Sequence, residues 1–284
     1  DRDRSVDLER IEKCESILRR STNAFSPFRR ELEFPICCRM ALAEDPIAYF
    51  DRLEEIFRAL SSTIASAVAY TILAAMILAE QCEPHGYASA AQNVDGAFRQ
   101  MQSAHPWQTA GCDLPLAALI ALSGREPDEA VQEADMSCIR LRRSLHADTN
   151  TCRNISYLLT IFEGSSEDKC SKVCAAAKAL KDARHPMRGP QMVSLSSVAG
   201  SAQSPEAYAK KIIEADEYLK NRKPFKNQFS IDTRGRRMFA AQMTEYAFPA
   251  SFLSGSGLAG WTVPWTVAVL WMLNGLVTAA VCSR

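Results

Sequence analysis

Apolar and polar residues follow one another along this chain in long blocks. Five times an apolar run ends in a short break and is followed by an amphipathic segment that carries charges. The breaks are 36, 44, 40 and 36 residues apart and fall at Glu44, Glu80, Gly124, Gly164 and Gly200. Spacings in this range are typical of helical-hairpin repeats. The pattern therefore predicts an all-α array of stacked helical hairpins that resembles an α-solenoid.

The starts of the second helices carry the signals expected of helix N-termini. Asp45 precedes Pro46, and an Asp N-cap followed by proline at the first helical position is favourable. Ser165 and Asp168 are spaced like a capping box. In each pair the first helix is the more apolar, as expected if inner helices are packed on both sides. An irregular helical bundle with evenly spaced breaks is the alternative interpretation.

The pattern divides the chain into four parts. Residues 1–33 form an N-terminal capping helix and linker, and residues 34–222 form five helical-hairpin repeats. Residues 223–257 contain a loop, a short helix over Met238 to Tyr246 and a Gly/Ser hinge. Residues 258–284 form an apolar C-terminal tail, in which no charged residue occurs before Arg284. The tail is long enough to span a membrane, although Pro264 and Asn274 make insertion borderline, and docking as a hydrophobic cap is the alternative.

Charge and cysteine content narrow the classes of function. The 33 basic residues are balanced by 33 acidic ones, so no electrostatic footprint for nucleic acid is expected. Ten cysteines are present, and a chain of 284 residues can bury a core without disulfides. Cys138, Cys170 and Cys174 fall on apolar helix stripes, where thiols act as small hydrophobic side chains. We therefore expect a reduced, cytoplasmic protein.

The candidate motifs for cofactor and metal binding are incomplete in this sequence. Residues 255–260 read G-x-G-x-x-G, but no acidic residue follows to bind a ribose, so we expect no dinucleotide cofactor. Cys82 with His85, and Cys170 with Cys174, have ligand-like spacing but lack a convincing fourth ligand for zinc. We predict no metal site and no catalytic residues.

One stretch resembles a known family. The residues from Ser103 to Thr109 read S-A-H-P-W-Q-T and lead to Asp113 and an apolar helix, with A-A-M-I upstream at residues 74–77. This arrangement is similar to a bacterial family termed domain of unknown function 4003, over roughly residues 60 to 245. The family usually has a leucine where this chain has Gln108. The resemblance implies a soluble, cytoplasmic, all-helical protein with no assigned activity.

We therefore expect a non-enzymatic protein that binds a protein or peptide partner along one face of the array, since stacked hairpins create long grooves. The loop around His105, Trp107 and Asp113 is one candidate binding site. A basic loop with Arg234, Arg236 and Arg237 is the other, because arginines bind anionic groups well. Two alternatives remain: a hydrolase or transferase with its site in the concave face, and a membrane adaptor held by residues 258–282.

Overall fold

The computed structural model describes residues 7–66, 68–82, 86–223, 225–226, 231–254, 256 and 258. Within these ranges the regular structure is helical apart from two isolated β-bridges, which confirms the all-α prediction. Two compact units occur: the first runs to Leu122 and the second starts at Ser123. Among the helices described, none is both long enough and apolar enough to cross a membrane. The predictions for the tail, the glycine hinge motif and His85 concern residues that lie largely outside these ranges.

The first unit is built from two layers of helices. Inner helices α4 and α6 pack against each other, and so do the outer helices α3 and α5, while α1 packs on α2 at the N-terminal end. Two short 3₁₀ helices, Pro27–Arg29 and Gly111–Asp113, lie in the connections. The helices are α1 (Leu8–Ser21), α2 (Glu33–Leu42), α3 (Pro46–Thr63), α4 (Val68–Gln81), α5 (Tyr87–Ala104) and α6 (Leu114–Leu122).

The second unit repeats this layering. Helices α7, α9 and α10 pack side by side, whereas α8 and α11 pack against the 3₁₀ helix Gly189–Ala199. That 3₁₀ helix occupies the apolar run before the break at Gly200, where the hairpin pattern predicts an α-helix, and eleven residues is long for a 3₁₀ helix. The α-helices are α7 (Pro127–Ser144), α8 (Thr149–Leu159), α9 (Ser166–Asp182), α10 (Pro205–Lys220) and α11 (Thr233–Ala247).

The inner elements form the core in both units. Every residue from Thr71 to Ala79 in α4 is buried, and so is every residue from Leu114 to Ile120 in α6. The 3₁₀ helix is buried from Gln191 to Ala199. Amphipathic helices α3, α5 and α7 pack mainly along the more apolar helices that follow them, which are α4, α6 and α8. The sequence periodicity instead pairs each amphipathic helix with the apolar run before it. Chain order alone does not show which of the two neighbouring elements packs against the apolar face of the helix.

Helix starts follow the local sequence signals. The Asp45 carboxylate accepts hydrogen bonds from the backbone N–H groups of Ile47 and Ala48, with Pro46 at the first helical position. The Ser165 hydroxyl accepts from the Asp168 N–H at 3.1 Å, as expected of a capping serine. The prediction that Arg234, Arg236 and Arg237 lie in a loop is wrong, because all three belong to α11. Asp232 accepts from the Gly235 N–H at 2.7 Å, and this cap starts α11 at Thr233.

Candidate functional site

The first predicted binding loop connects α5 to the 3₁₀ helix Gly111–Asp113. Its backbone is fixed by hydrogen bonds from the N–H groups of Gln108 and Thr109 to the His105 carbonyl, each 3.0 Å long. Asp113 is buried, and its carboxylate accepts from the Ala110 N–H at 2.9 Å. The indole of Trp107 is 98% exposed. Asp113 therefore stabilises the loop from inside, and Trp107 is the member of this set that a partner can reach most freely.

The predicted basic loop is the first turn of α11, and it lies in the second unit. The Arg236 Nε donates to Oδ1 of Asp216 on α10 at 2.6 Å. The Arg237 Nε lies 3.6 Å from Oδ2 of the same carboxylate, which is 1% exposed. Arg234 is exposed. Two of the three arginines thus neutralise a buried acid, a role that the sequence pattern did not indicate.

Asp216 also faces His185, whose Nδ1 lies 3.3 Å from Oδ2. His185, Asp216 and Glu217 each place one possible metal-ligand atom within 4.8 Å of the others, and they are the group of this kind found among the described residues. Two guanidinium groups already bind Asp216, and they would repel a metal cation. The cluster is therefore better explained as an ion-pair hub that joins α10, α11 and the segment after α9.

That segment forms one wall of a large surface groove, which we call the basic groove. Its other walls are the C-terminal end of α7 and one side of α9. The buried side chains of Leu145, Met187 and Met192 form its floor. The groove has a volume of about 1160 Å³. Such a concave surface with an apolar floor is the usual setting for ligand binding.

The rim of the basic groove is positively charged. Four cationic side chains and one carboxylate line it: Lys178, Lys181, Arg184, Arg188 and Asp182. Lys178 pairs with Asp182 at 2.6 Å. Within the described part of the chain, Lys181, Arg184 and Arg188 make no side-chain ion pair or hydrogen bond. The rim therefore carries a surplus of positive charge available to an anionic partner.

The residues of this basic rim were not among the predicted site residues. The signal was present as basic residues that recur every three or four positions from Lys178 through Lys181 and Arg184 to Arg188. The pattern on α9 alone reads as a solvated helix end. What makes it a site is the apolar floor, to which Leu145 contributes from a position 33 residues before Lys178.

A second buried polar group lies between the 3₁₀ helix, α10 and α11. The Ser197 hydroxyl donates to Oε1 of Glu245, and both residues are at most 2% exposed. Burial raises the pKa of Glu245 to about 8, although the hydrogen bond from Ser197 partly opposes the shift. The same burial raises the pKa of Tyr208 nearby. A hydroxyl beside a carboxylate could suggest a nucleophile and base, but the burial of both groups keeps substrates away.

Burial raises the pKa of eight of the nine described cysteines. All nine described cysteines are free thiols. Burial raises the pKa of Cys37 to about 12 and that of Cys152 to about 11. It also raises the pKa of Cys174, which lines the basic groove. Because the thiolate is the reactive form, these shifts make the thiols less nucleophilic.

Comparison with known proteins identifies the family. No curated protein and no solved structure matches the chain. A family model described as "Protein of unknown function (DUF4003)" matches residues 2–246. The match includes the segment around Trp107 that carries the resemblance, and it extends further towards the N-terminus than the sequence motifs indicated. It covers both compact units as far as the last turn of α11. The chain therefore belongs to the DUF4003 family of proteins of unknown function.

Proposed function

We propose that this protein is a bacterial, cytoplasmic helical-repeat scaffold that binds a protein or peptide segment in the basic groove. The observation that carries the proposal is the groove itself, in which an apolar floor lies beneath a cationic rim, and three of the four rim cations have no partner among the described residues. Peptides bind grooves of this kind by burying apolar anchors. Met187 and Met192 suit this role because methionine adapts its shape to different side chains.

A peptide fits these features better than a nucleic acid does. The whole chain is electrically neutral, with 33 basic and 33 acidic residues. Nucleic-acid affinity depends mainly on many phosphate contacts. The positive surface here is confined to the rim of one groove, and the floor of that groove is apolar. Partner binding at the loop around Trp107, or membrane contact through residues 258–282, would be additional to binding in the groove.

Selection from a phage library of random 12-residue peptides tests the proposal. The full chain is immobilised, and selected peptides are synthesised and measured by fluorescence anisotropy. Ala177→Glu places a negative, bulkier side chain in the groove. We expect it to weaken binding at least about 10-fold, since it adds like-charge repulsion against an acidic ligand and fills the floor.

The matched control is Ala179→Glu, on the same helix but outside the groove lining. It should bind as the unaltered protein does. Failure to select any peptide, or equal effects of the two variants, would exclude the basic groove as the peptide site.

A further inference from the structure

One residue on the rim of the basic groove has an unusual backbone conformation. Arg184 follows the C-terminus of α9 with a φ of +63°, and it is the one non-glycine residue with positive φ in the described ranges. The chain uses glycine at three other such positions, Gly124, Gly164 and Gly189. The left-handed conformation costs energy for a residue with a Cβ, so glycine is the usual choice at a helix C-terminus.

Local hydrogen bonds hold Arg184 in this conformation. Its N–H donates to the Lys181 carbonyl at 3.0 Å, and the next N–H, of His185, donates to the Leu180 carbonyl at 2.8 Å. Glycine would make the same backbone bonds without the steric cost. The arginine is therefore not explained by the turn, and strained residues of this kind often serve a binding site.

The segment after Arg184 is fixed from behind by α10 and α11. The Arg237 Nη1 donates to the Pro186 carbonyl at 2.7 Å. His185 Nδ1 lies 3.3 Å from Oδ2 of Asp216. These contacts fix the two residues that follow Arg184, so the arginine projects from a positioned backbone. Preorganisation of this kind lowers the entropy lost on binding.

We propose that Arg184 binds a carboxylate on the peptide partner, from an Asp or Glu that lies next to an apolar anchor. This inference rests on the function proposed above. The guanidinium lines the groove, is exposed, and makes no hydrogen bond or ion pair within the described residues. The planar guanidinium can donate two parallel hydrogen bonds to one carboxylate. An apolar side chain beside that carboxylate then lies over Met187 and Met192.

The test compares Arg184→Gly with the unaltered protein in two measurements. Glycine removes the side chain and relieves the backbone, so the thermal midpoint should stay the same or rise by about 2–4 °C. Binding of a selected acidic peptide should weaken about 10–100-fold, which corresponds to loss of a hydrogen bond to a charged group. A structural arginine would give the opposite stability result, because its removal would lower the midpoint.

Two comparisons sharpen the assignment. Arg184→Lys keeps the positive charge but cannot donate two parallel hydrogen bonds. Its affinity for the peptide should therefore lie between those of the unaltered protein and Arg184→Gly. Arg20→Ala removes an exposed arginine of α1 that does not line the groove, and it should leave binding unchanged. Replacing the peptide's acidic residue with its amide should weaken binding to the unaltered protein but not to Arg184→Gly.

The outcomes separate the two proposals. If no peptide is selected, the proposed function itself fails. If peptides bind but show no preference for Asp or Glu, only the role of Arg184 fails. The same holds if the ratio of affinities for the acidic peptide and its amide is the same in Arg184→Gly as in the unaltered protein. Tighter binding of anionic phosphatidylglycerol vesicles than of any peptide would overturn the choice of a peptide as the partner.

Discussion

Glu245 shows how a single buried group can control the stability of this protein. Its pKa is raised from the ordinary value of 4.5 to about 8 by burial. Between these two pH values the folded state holds a proton that the unfolded state has lost. The free energy of unfolding therefore falls as pH rises through this window and levels off above it. Each pKa unit corresponds to about 1.4 kcal/mol.

Glu245→Gln should remove this pH dependence. At pH 8 we expect the variant to be more stable than the unaltered protein by about 4 kcal/mol, because the unaltered protein has by then lost most of the stabilisation that the raised pKa provides, whereas the amide needs no proton and can still accept from Ser197. Near pH 4.5 the two should be similar. Urea unfolding at both pH values measures the difference. Glu214→Gln, at an exposed position on α10, is the control and should stay within about 0.5 kcal/mol. Parallel pH profiles for Glu245→Gln and the unaltered protein would contradict the assignment.

The buried thiols give a second prediction at the residue scale. Since burial raises the pKa of Cys37 to about 12 and that of Cys152 to about 11, both are largely protonated at pH 8. Iodoacetamide should label them at least about 10-fold more slowly in the folded protein than in urea, because only the thiolate reacts. Mass spectrometry of digested peptides identifies each site. A cysteine labelled faster in the folded state would instead indicate an activated nucleophile and favour the enzyme alternative.

At the scale of elements, the turn at Gly200, which ends the 3₁₀ helix, packs against the segment that follows α11. A Cβ added there would lie 2.7 Å from Cδ1 of Phe162 and 2.9 Å from Cβ of Ala250. The Ser251 N–H donates to the Gly200 carbonyl at 2.8 Å, so the two segments are held close together. This glycine is required by space, since its φ is not in the left-handed region.

Gly200→Ala should therefore destabilise the protein by about 1–3 kcal/mol, the usual cost of overpacking. Gly96→Ala is the matched control, because the new methyl group meets nothing within 4 Å in the middle of α5. Alanine is the better helix former, so this variant should gain up to about 1 kcal/mol. Denaturant unfolding of both variants gives the comparison. Equal effects would show that the chain around Gly200 moves aside without cost.

Prediction from sequence worked best for local features of the elements. The caps at Asp45 and Ser165 depend on residues two or three positions away, so the sequence shows both partners together. The contacts of the ion-pair hub depend on partners far apart: Arg236 and Asp216 are 20 residues apart, and Arg237 and Pro186 are 51 apart. No local pattern shows such pairs. For this reason the sequence predicted Arg236 and Arg237 to lie in a basic loop that is available for binding.

At the scale of the whole molecule, helix class follows from periodicity but the division into units does not. The spacing of the breaks is continuous across Gly124, whereas the structure starts a new compact unit at Ser123. The basic groove belongs to the second unit alone. Its floor and rim come from α7, α9 and the segment after α9, so it could be recognised only once those elements were placed in space.

The second unit has a buried ion pair, which allows this unit to be probed separately. In the second unit, Lys169 is 1% exposed, and its Nζ lies 2.5 Å from Oε1 of Glu133. Arg125 pairs with the other oxygen of Glu133, and the Lys169 Nζ also donates to the Phe162 carbonyl at 3.0 Å. Removing the charge of Glu133 would leave a buried ammonium without its counter-ion, which typically costs about 3–5 kcal/mol.

Glu133→Gln should therefore destabilise the second unit selectively. Hydrogen exchange followed by mass spectrometry should show faster exchange in helices α7 to α11, while α1 to α6 keep their protection if the first unit folds independently. Asp182→Asn removes the exposed pair with Lys178 on α9 and should change exchange little, since solvent screens exposed ion pairs. Faster exchange of both units together in Glu133→Gln would show one cooperative structure, and the groove would then depend on residues as distant as α1.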